Sequence, residues 1–259
     1  MPELLDVEGF RRFAERHVAG RAIRSVHVLD RELVRNRSAR SLQSALAGQR
    51  FGTARRHGKW LILPAGEAEL LMHFGMTGAL AWAPNDADRH RHDRLVVVFD
   101  GGELRYNNMR RFGGVWLARD ADERELVTGS LGPDAATLGP EKFAALLDAR
   151  RGGIKAALMD QHLIAGLGNL MSDEILWRAR VHPEASVGSL TPHRRQKIYH
   201  ELRAVIGESS RYGRVPHGRR WLTRMRDDRD ASCPRCGSRL SRARVAGRTA
   251  CWCPRCQRL

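Results

Sequence analysis

The sequence predicts an α+β protein, with a strand-rich first half led by one helix, a helical second half and a cysteine-bearing β-hairpin at the end. Three observations carry this. Short apolar runs divided by Gly, Pro and Asp occupy residues 22 to 120. Helical spacing takes over at "EKFAALLDA". All five cysteines, Cys233, Cys236, Cys251, Cys253 and Cys256, lie in the last 27 residues.

Taken in order, Val7, Phe10, Ala14 and Val18 stand at helical spacing and stop at Gly20, which predicts an amphipathic helix over 7–20. The runs "WLIL", "ELLMHF", "ALAWA", "RLVVVF" and "GVWLA" read as strands, and Asp100-Gly101-Gly102 marks a hairpin before "ELRY". They predict a β-sandwich or barrel-like domain over residues 1–130. Glycines and prolines in "GSLGPDAATLGP" mark a linker over 130–140. Helices are expected over 140–149, 154–161, 170–180 and 191–212, within a second domain spanning 140–225. Segment 213–232 is basic, lacks a clear period and leads into a terminal module over 230–259.

Cys233-x-x-Cys236 and Cys253-x-x-Cys256 are separated by sixteen residues, the double-pair spacing of a four-thiolate zinc site. Each pair wraps a tight turn around one side of a tetrahedral ion. A redox-active pair is the competing reading, but "CPRC" in both pairs fits one closed structural zinc better. Such a site has no open position for substrate, so the metal would hold structure and not catalyse. Cys251 falls outside the register and reads as a strand residue or a labile thiol.

The chain carries 45 Lys and Arg against 29 Asp and Glu, a formal charge of +16. A polyanion is the natural partner. No apolar run approaches the ~18 residues of a spanning helix. The acidic start, with Glu3, Asp6 and Glu8, does not resemble a secretory signal. A soluble, cytoplasmic protein is expected. In "AGLGNLMSDE", Gly166, Gly168 and Asn169 precede a helix expected to carry Asp173 and Glu174 in its first turn. Its N-terminal N–H groups would suit a phosphate, and a plain helix–helix turn is the alternative.

These motifs stand in a recognisable order: Pro2-Glu3, "HGK" at 57–59, "HFGMTG" at 73–78, "RRFG" at 110–113, "AGLGN", and "VAGRT" before the second cysteine pair. End to end, the chain resembles the formamidopyrimidine-DNA glycosylase and endonuclease VIII-like (Fpg/Nei) family of base-excision repair enzymes. The resemblance implies an N-terminal β-sandwich, a helix two-turn helix DNA-binding domain and a zinc hairpin, with damaged double-stranded DNA lying in a basic cleft between the halves. A monomer with one structural zinc ion on Cys233, Cys236, Cys253 and Cys256 is expected.

Site residues follow from the same resemblance. Removal of Met1 would expose the secondary amine of Pro2. An N-terminal amine titrates near ~8, so a useful fraction is nucleophilic at neutral pH, unlike a lysine near ~10.4. It would attack C1′, displace the damaged base and form a Schiff base that makes the adjacent phosphate a leaving group. The resemblance implies that Glu3 protonates the ring oxygen, that Lys59 assists β-elimination and that Arg248 grips flanking phosphates and serves δ-elimination. His73, His92 and Asn169 match phosphate contacts. Met76, Arg110 and Phe112 match residues that fill the gap left by a flipped nucleotide. Lys155 matches a recurrent lysine near the active site.

Leu5, Asp6, Asn108 and Met109 depart from the family's usual Pro, Glu, Asp and Pro, and segment 213–232 does not look like the usual loop over an oxidised purine. The expected activity is that of a bifunctional DNA glycosylase and abasic-site lyase. The alternatives are a relative specialised for another adduct or for abasic sites, and a zinc-containing protein that binds lesions without cutting.

Overall fold

The computed structural model describes every residue except Met1, Asp86 and His217. The expected removal of Met1 lies outside the described residues, as does His217 of segment 213–232. The described chain divides into two units: Pro2 with Asp6–Ser130, and Glu3–Leu5 with Leu131–Leu259.

The first unit takes in α1 (Leu4–Val18) from Asp6 onward, and the apolar stripe of that helix buries Val7, Ala14 and Val18. In chain order follow β1 (Ser25–Val28), α2 (Ala39–Leu46), β2 (Arg55–His57), β3 (Trp60–Ala65), β4 (Ala68–His73), β5 (Ala79–Ala83), β6 (Asp93–Phe99), β7 (Gly102–Asn107), β8 (Gly114–Ala118) and α3 (Ala121–Thr128). One sheet has the order β1-β6-β7-β5 and the other β2-β3-β4-β8, and every pairing is antiparallel. Alternate residues of both sheets enter one core: Leu61 and Leu63, Leu70 and Met72, Leu95, Val97 and Phe99, Leu104 and Tyr106. The period of two gives each strand one inward face, so the two sheets form a sandwich. Each large side chain so buried contributes about 1.5–3 kcal/mol.

Two helices fall where sequence reading saw mainly strands. The apolar signal of α2 is only Leu42 and Leu46, and Ser38 caps it by accepting from the Ser41 N–H. In α3 no residue is buried, so it has no apolar period, and it is held instead by Asp120 accepting from the Glu123 N–H at 2.8 Å.

The second unit contains α4 (Pro140–Asp148), α5 (Ile154–Met159), α6 (Asn169–Ala179), α7 (Pro192–Ser210), the short α8 (Leu222–Met225) and the hairpin β9 (Ser241–Val245) and β10 (Arg248–Trp252). Phe143 and Leu147, Ala157 and Leu158, Met171 and Ile175, and Ile198, Leu202 and Val205 build its core with Leu4 and Leu5. Residues 131–139, read as linker, are packed: Ala135 and Leu138 are buried, and the Ala135 N–H bonds the Ala165 carbonyl at 2.9 Å. Glycine and proline there shape a tight path and not a loose one. Among the described residues of segment 213–232, Trp221 and Leu222 are buried. Among the described residues no helix is long and apolar enough to cross a membrane.

Candidate active site and nucleic-acid interface

In the first unit the expected site residues share one edge. Lys59 sits in the two-residue turn between β2 and β3, and its neighbour Trp60 pairs in register with His73. His73 pairs in turn with Gly114, two residues after Phe112. Burial, and then the Lys59 charge, push the His73 imidazole down to about 4. The Gly75 N–H donates to His73 Nδ1 at 3.3 Å, so the neutral ring carries its proton on Nε2 and offers that N–H as a donor. His92 joins the edge through its carbonyl, which accepts from the Asn108 N–H at 2.9 Å.

Phe112 is 60% exposed and Met109 53% exposed, and the Arg110 guanidinium lies 5.1 Å over the Phe112 ring. The Phe112 ring is presented to solvent, as the void-filling match expects. The loop beneath it is rigidly framed. Asn108 is fully buried, and its Oδ1 accepts from the Arg111 N–H at 3.0 Å and from Thr77 Oγ1 at 3.2 Å. Its Nδ2 donates to the Tyr106 hydroxyl at 2.9 Å, which donates to the His73 carbonyl at 3.0 Å. Thr77, next to half-buried Met76, also accepts from the Arg110 N–H at 3.1 Å. The departure at Asn108 is thus the organiser of the loop, because an amide supplies a donor to Tyr106 and an acceptor to Arg111 at once.

In the second unit, the N-terminus of α6 is occupied from within the chain. Glu3 is fully buried, and its two oxygens accept from the N–H groups of Gly168 at 2.9 Å, Leu170 at 2.7 Å and Met171 at 3.0 Å. The expectation that these groups wait for a phosphate is corrected: the anion at this helix end is a carboxylate of the protein itself. The glycines serve that contact. A Cβ at Gly168 would lie 2.3 Å from Glu3 Cδ, while Gly166 has φ +111° and would strike Leu4. Asp173 and Glu174 lie in the second turn of α6, not the first, and both are buried.

Lys155 is fully buried, with Nζ 2.5 Å from Asp173 Oδ1 and 3.4 Å from the Thr249 carbonyl. Burial, then the Arg226 guanidinium, pull its ammonium down to about 7. Arg226 bonds both Asp173 Oδ2 and the Thr249 carbonyl, and Asn169 Nδ2 donates to that carbonyl at 3.1 Å. Arg248, next in the chain, is exposed at the start of β10. Val245 pairs with Arg248 across the turn Ala246-Gly247, whose φ values of 49° and 72° mark a tight hairpin of the primed kind. Lys155, Asn169 and the Arg248 hairpin are therefore brought together. The roles of Asn108, Asp173 and Arg226 were not read from the sequence: Asn108 stood out only as a departure and Asp173 only as a carboxylate of the helix after Asn169.

The sulfurs of Cys233, Cys236, Cys253 and Cys256 all lie within 4.8 Å of one another, and Cys236 is 3.5 Å from both Cys253 and Cys256. Zn–S bonds of about 2.3 Å in a tetrahedron place sulfurs about 3.8 Å apart, so the set fits one structural zinc. Trp177 Nε1 donates to Cys233 Sγ at 3.4 Å, and Gln257 joins the Cys253 N–H to the Val181 carbonyl, both at 2.9 Å. Cys251 is 1% exposed in β10 and burial pushes its thiol up, so the labile-thiol reading fails: a buried, protonated thiol is a poor nucleophile.

Three family descriptions match the chain: the formamidopyrimidine-DNA glycosylase N-terminal domain over residues 1–115, its H2TH domain over 131–216, and the zinc finger found in FPG and IleRS over 233–259. The formamidopyrimidine-DNA glycosylase of Chloroflexus aurantiacus is 35% identical over 272 residues, covering 99% of this chain and 98% of the relative. That of Symbiobacterium thermophilum is 36% identical over 280 residues, covering 99% and 89%. Lactococcus lactis Fpg, solved with DNA containing N7-benzyl-Fapy-dG, superposes with a TM-score of 0.90 at 29% identity and full coverage of both chains. With its fold, its cysteine set and its whole length matched in this way, the chain belongs to the formamidopyrimidine-DNA glycosylase family of DNA repair enzymes.

Proposed function

We propose that this glycosylase excises an oxidised or ring-opened base from duplex DNA and then cleaves the strand through a Schiff base on Pro2. The observation that carries this reading is the Glu3 cap: three N–H groups of α6 hold the residue bonded directly to Pro2. An amine on a tethered residue is oriented for attack, which lowers the entropic part of the barrier.

The neutral Pro2 nitrogen forms a bond to C1′, and the glycosidic bond breaks with its electron pair leaving on the base, which takes up a proton. The nitrogen's proton passes to the Glu3 carboxylate and from it to O4′ as the C1′–O4′ bond opens, giving the iminium; the resemblance assigns that delivery to Glu3, which starts as the carboxylate held by the α6 N–H groups. The iminium acidifies C2′. Removal of a proton there, assisted by Lys59, drives out the 3′ phosphate, and water then releases the enzyme. Neutral His73, through its Nε2–H, and Arg248 contact phosphates, with Asn169 and His92 as further contacts. Phe112, Met76 and Arg110 fill the vacated stack, where an exposed ring on a rigid loop loses little entropy on insertion. Zinc on the four cysteines holds the hairpin that presents Arg248 and takes no part in bond making.

Relatives support the substrate class: solved family members hold DNA containing Fapy-dG, an abasic site or a carbocyclic 8-oxo-G. The test is borohydride trapping on duplexes carrying an abasic site, 8-oxoguanine, formamidopyrimidine or oxidised thymine, with Pro2→Gly alongside. A covalent adduct that disappears in Pro2→Gly is expected. Tight binding with no adduct on any duplex would leave a lesion-binding protein.

A further inference from the structure

We infer that Arg226 is a positioning residue for Arg248, acting by bridging the Asp173 carboxylate to the Thr249 carbonyl. This rests on the reading of Arg248 as a phosphate-gripping group. The zinc end of the hairpin is already fastened to the helical core: Trp177 reaches Cys233, Gln257 reaches Val181, and Arg235 Nη1 reaches the Trp177 carbonyl at 3.1 Å. None of these contacts restrains the other end, where the turn and Arg248 lie.

At that end one backbone carbonyl gathers three donors. Thr249 O accepts from Arg226, from Asn169 Nδ2 at 3.1 Å and from Lys155 Nζ at 3.4 Å. Asp173, 3% exposed, ties the same strand through the Cys251 N–H at 3.1 Å while pairing with both Lys155 and Arg226. Arg226 is the member that joins carboxylate and carbonyl with separate arms of its guanidinium, Nη1 to one and Nη2 to the other. Lys155 reaches the same two groups from one nitrogen, with its arm to Thr249 long at 3.4 Å, whereas the planar fork at 226 serves each group with its own N–H, a geometry a lysine at 226 would not reproduce. The segment around Arg226 is gripped from β9, where Arg242 donates to the carbonyls of Met225, Arg226 and Arg229 at 3.0, 3.1 and 3.2 Å. Residues 225–229 therefore act as a strap across the hairpin, and Arg226 is where the strap fastens near the turn.

The test is a double-mutant cycle. Single-turnover cleavage of an abasic-site duplex is measured for the intact zinc protein, Arg226→Ala, Arg226→Lys, Arg248→Ala and the Arg226→Ala/Arg248→Ala pair, each checked for zinc content and thermal unfolding. Arg226→Ala should lose about tenfold in rate with Arg248 present and less than about twofold once Arg248 is gone. Arg226→Lys, which keeps the charge and the fold, should lose most of the same factor. The slope of log affinity against log salt should fall by about 0.9 in Arg226→Ala, as in Arg248→Ala, because the same phosphate contact is lost. Equal losses in both backgrounds, or wild-type rates for Arg226→Lys, overturn the inference. An Arg248→Ala protein as active as wild type sinks the Arg248 reading itself, and the positioning role with it. Should Arg226→Ala fail to fold, Arg226→Lys in both backgrounds gives the same decision.

Discussion

The loop over 108–113 and the N-terminus of α6 solve opposite problems with similar means. The loop exposes its working side chains, Arg110 and Phe112, and buries the amide that shapes it, Asn108. The helix end buries its charged side chains, Glu3, Asp173 and Lys155, and leaves Arg248 outward on the attached hairpin. In both, a fully satisfied buried polar group carries the geometry, and an exposed group does the contacting. The two therefore differ in how mutation is felt: exposed groups cost activity without stability, and buried ones cost both.

Zinc removal is the most drastic way to break the contrast, since it melts the hairpin that displays Arg248. Chelation should lower strand cleavage by more than about a hundredfold, with recovery on stoichiometric zinc. Full cleavage by protein shown to be metal-free would refute a structural zinc. Next is Glu3→Ala, which strands three N–H groups and should cost about 3 kcal/mol of stability together with borohydride trapping; Glu3→Gln, which keeps one acceptor oxygen, should recover part of the stability in urea unfolding. If Glu3→Ala unfolds at the wild-type urea midpoint, the cap holds nothing. Asn108→Ala leaves the Arg111 N–H without its acceptor and should cost about 2 kcal/mol.

The His73 imidazole sharpens the comparison through pH. Its folded value, about 4, lies below the ordinary 6.5, so on acidification the unfolded chain takes up the proton first. Stability is unaffected above about 6.5 and is lost as pH falls from there to about 4, by about 3 kcal/mol. A His73→Gln protein should show a flatter profile over that window; an unchanged slope would mean that His73 is not buried neutral. Phe112→Ala should show the smallest change in stability, within about 0.5 kcal/mol, while cleavage at a lesion in duplex DNA falls about tenfold and cleavage of a single-stranded abasic substrate does not. Equal losses on both substrates would remove its void-filling role.

Local order was legible from residues alone wherever spacing carries the geometry. Short apolar runs predicted β3 to β6 and β8, the Asp-Gly-Gly hairpin signal predicted β7, and period 3.6 predicted α1 and α4 to α7, while β1 and β2 were not read as separate strands. Where the apolar signal shrinks to two buried leucines, as in α2, or vanishes, as in α3, a side-chain cap helps hold the helix and periodicity is silent. The cysteine pairs were readable for the same reason as the strands: two ligands three residues apart and a matching pair make a tetrahedral set by local turns.

By itself, then, the sequence determined the zinc ligands, the hairpin that carries Arg248, the sandwich and the helices, because each depends on neighbours a few residues apart. Only the tertiary structure decided that Glu3 caps α6 across 165 residues of chain, that Asn108 frames the loop, that His73 is neutral with its proton on Nε2, and that Arg226 meets Asp173 and Thr249. Those facts depend on which polar groups share a buried space, and burial is a property of the packed chain: a carboxylate or an amide acquires its role from the donors that the fold places within 3 Å of it.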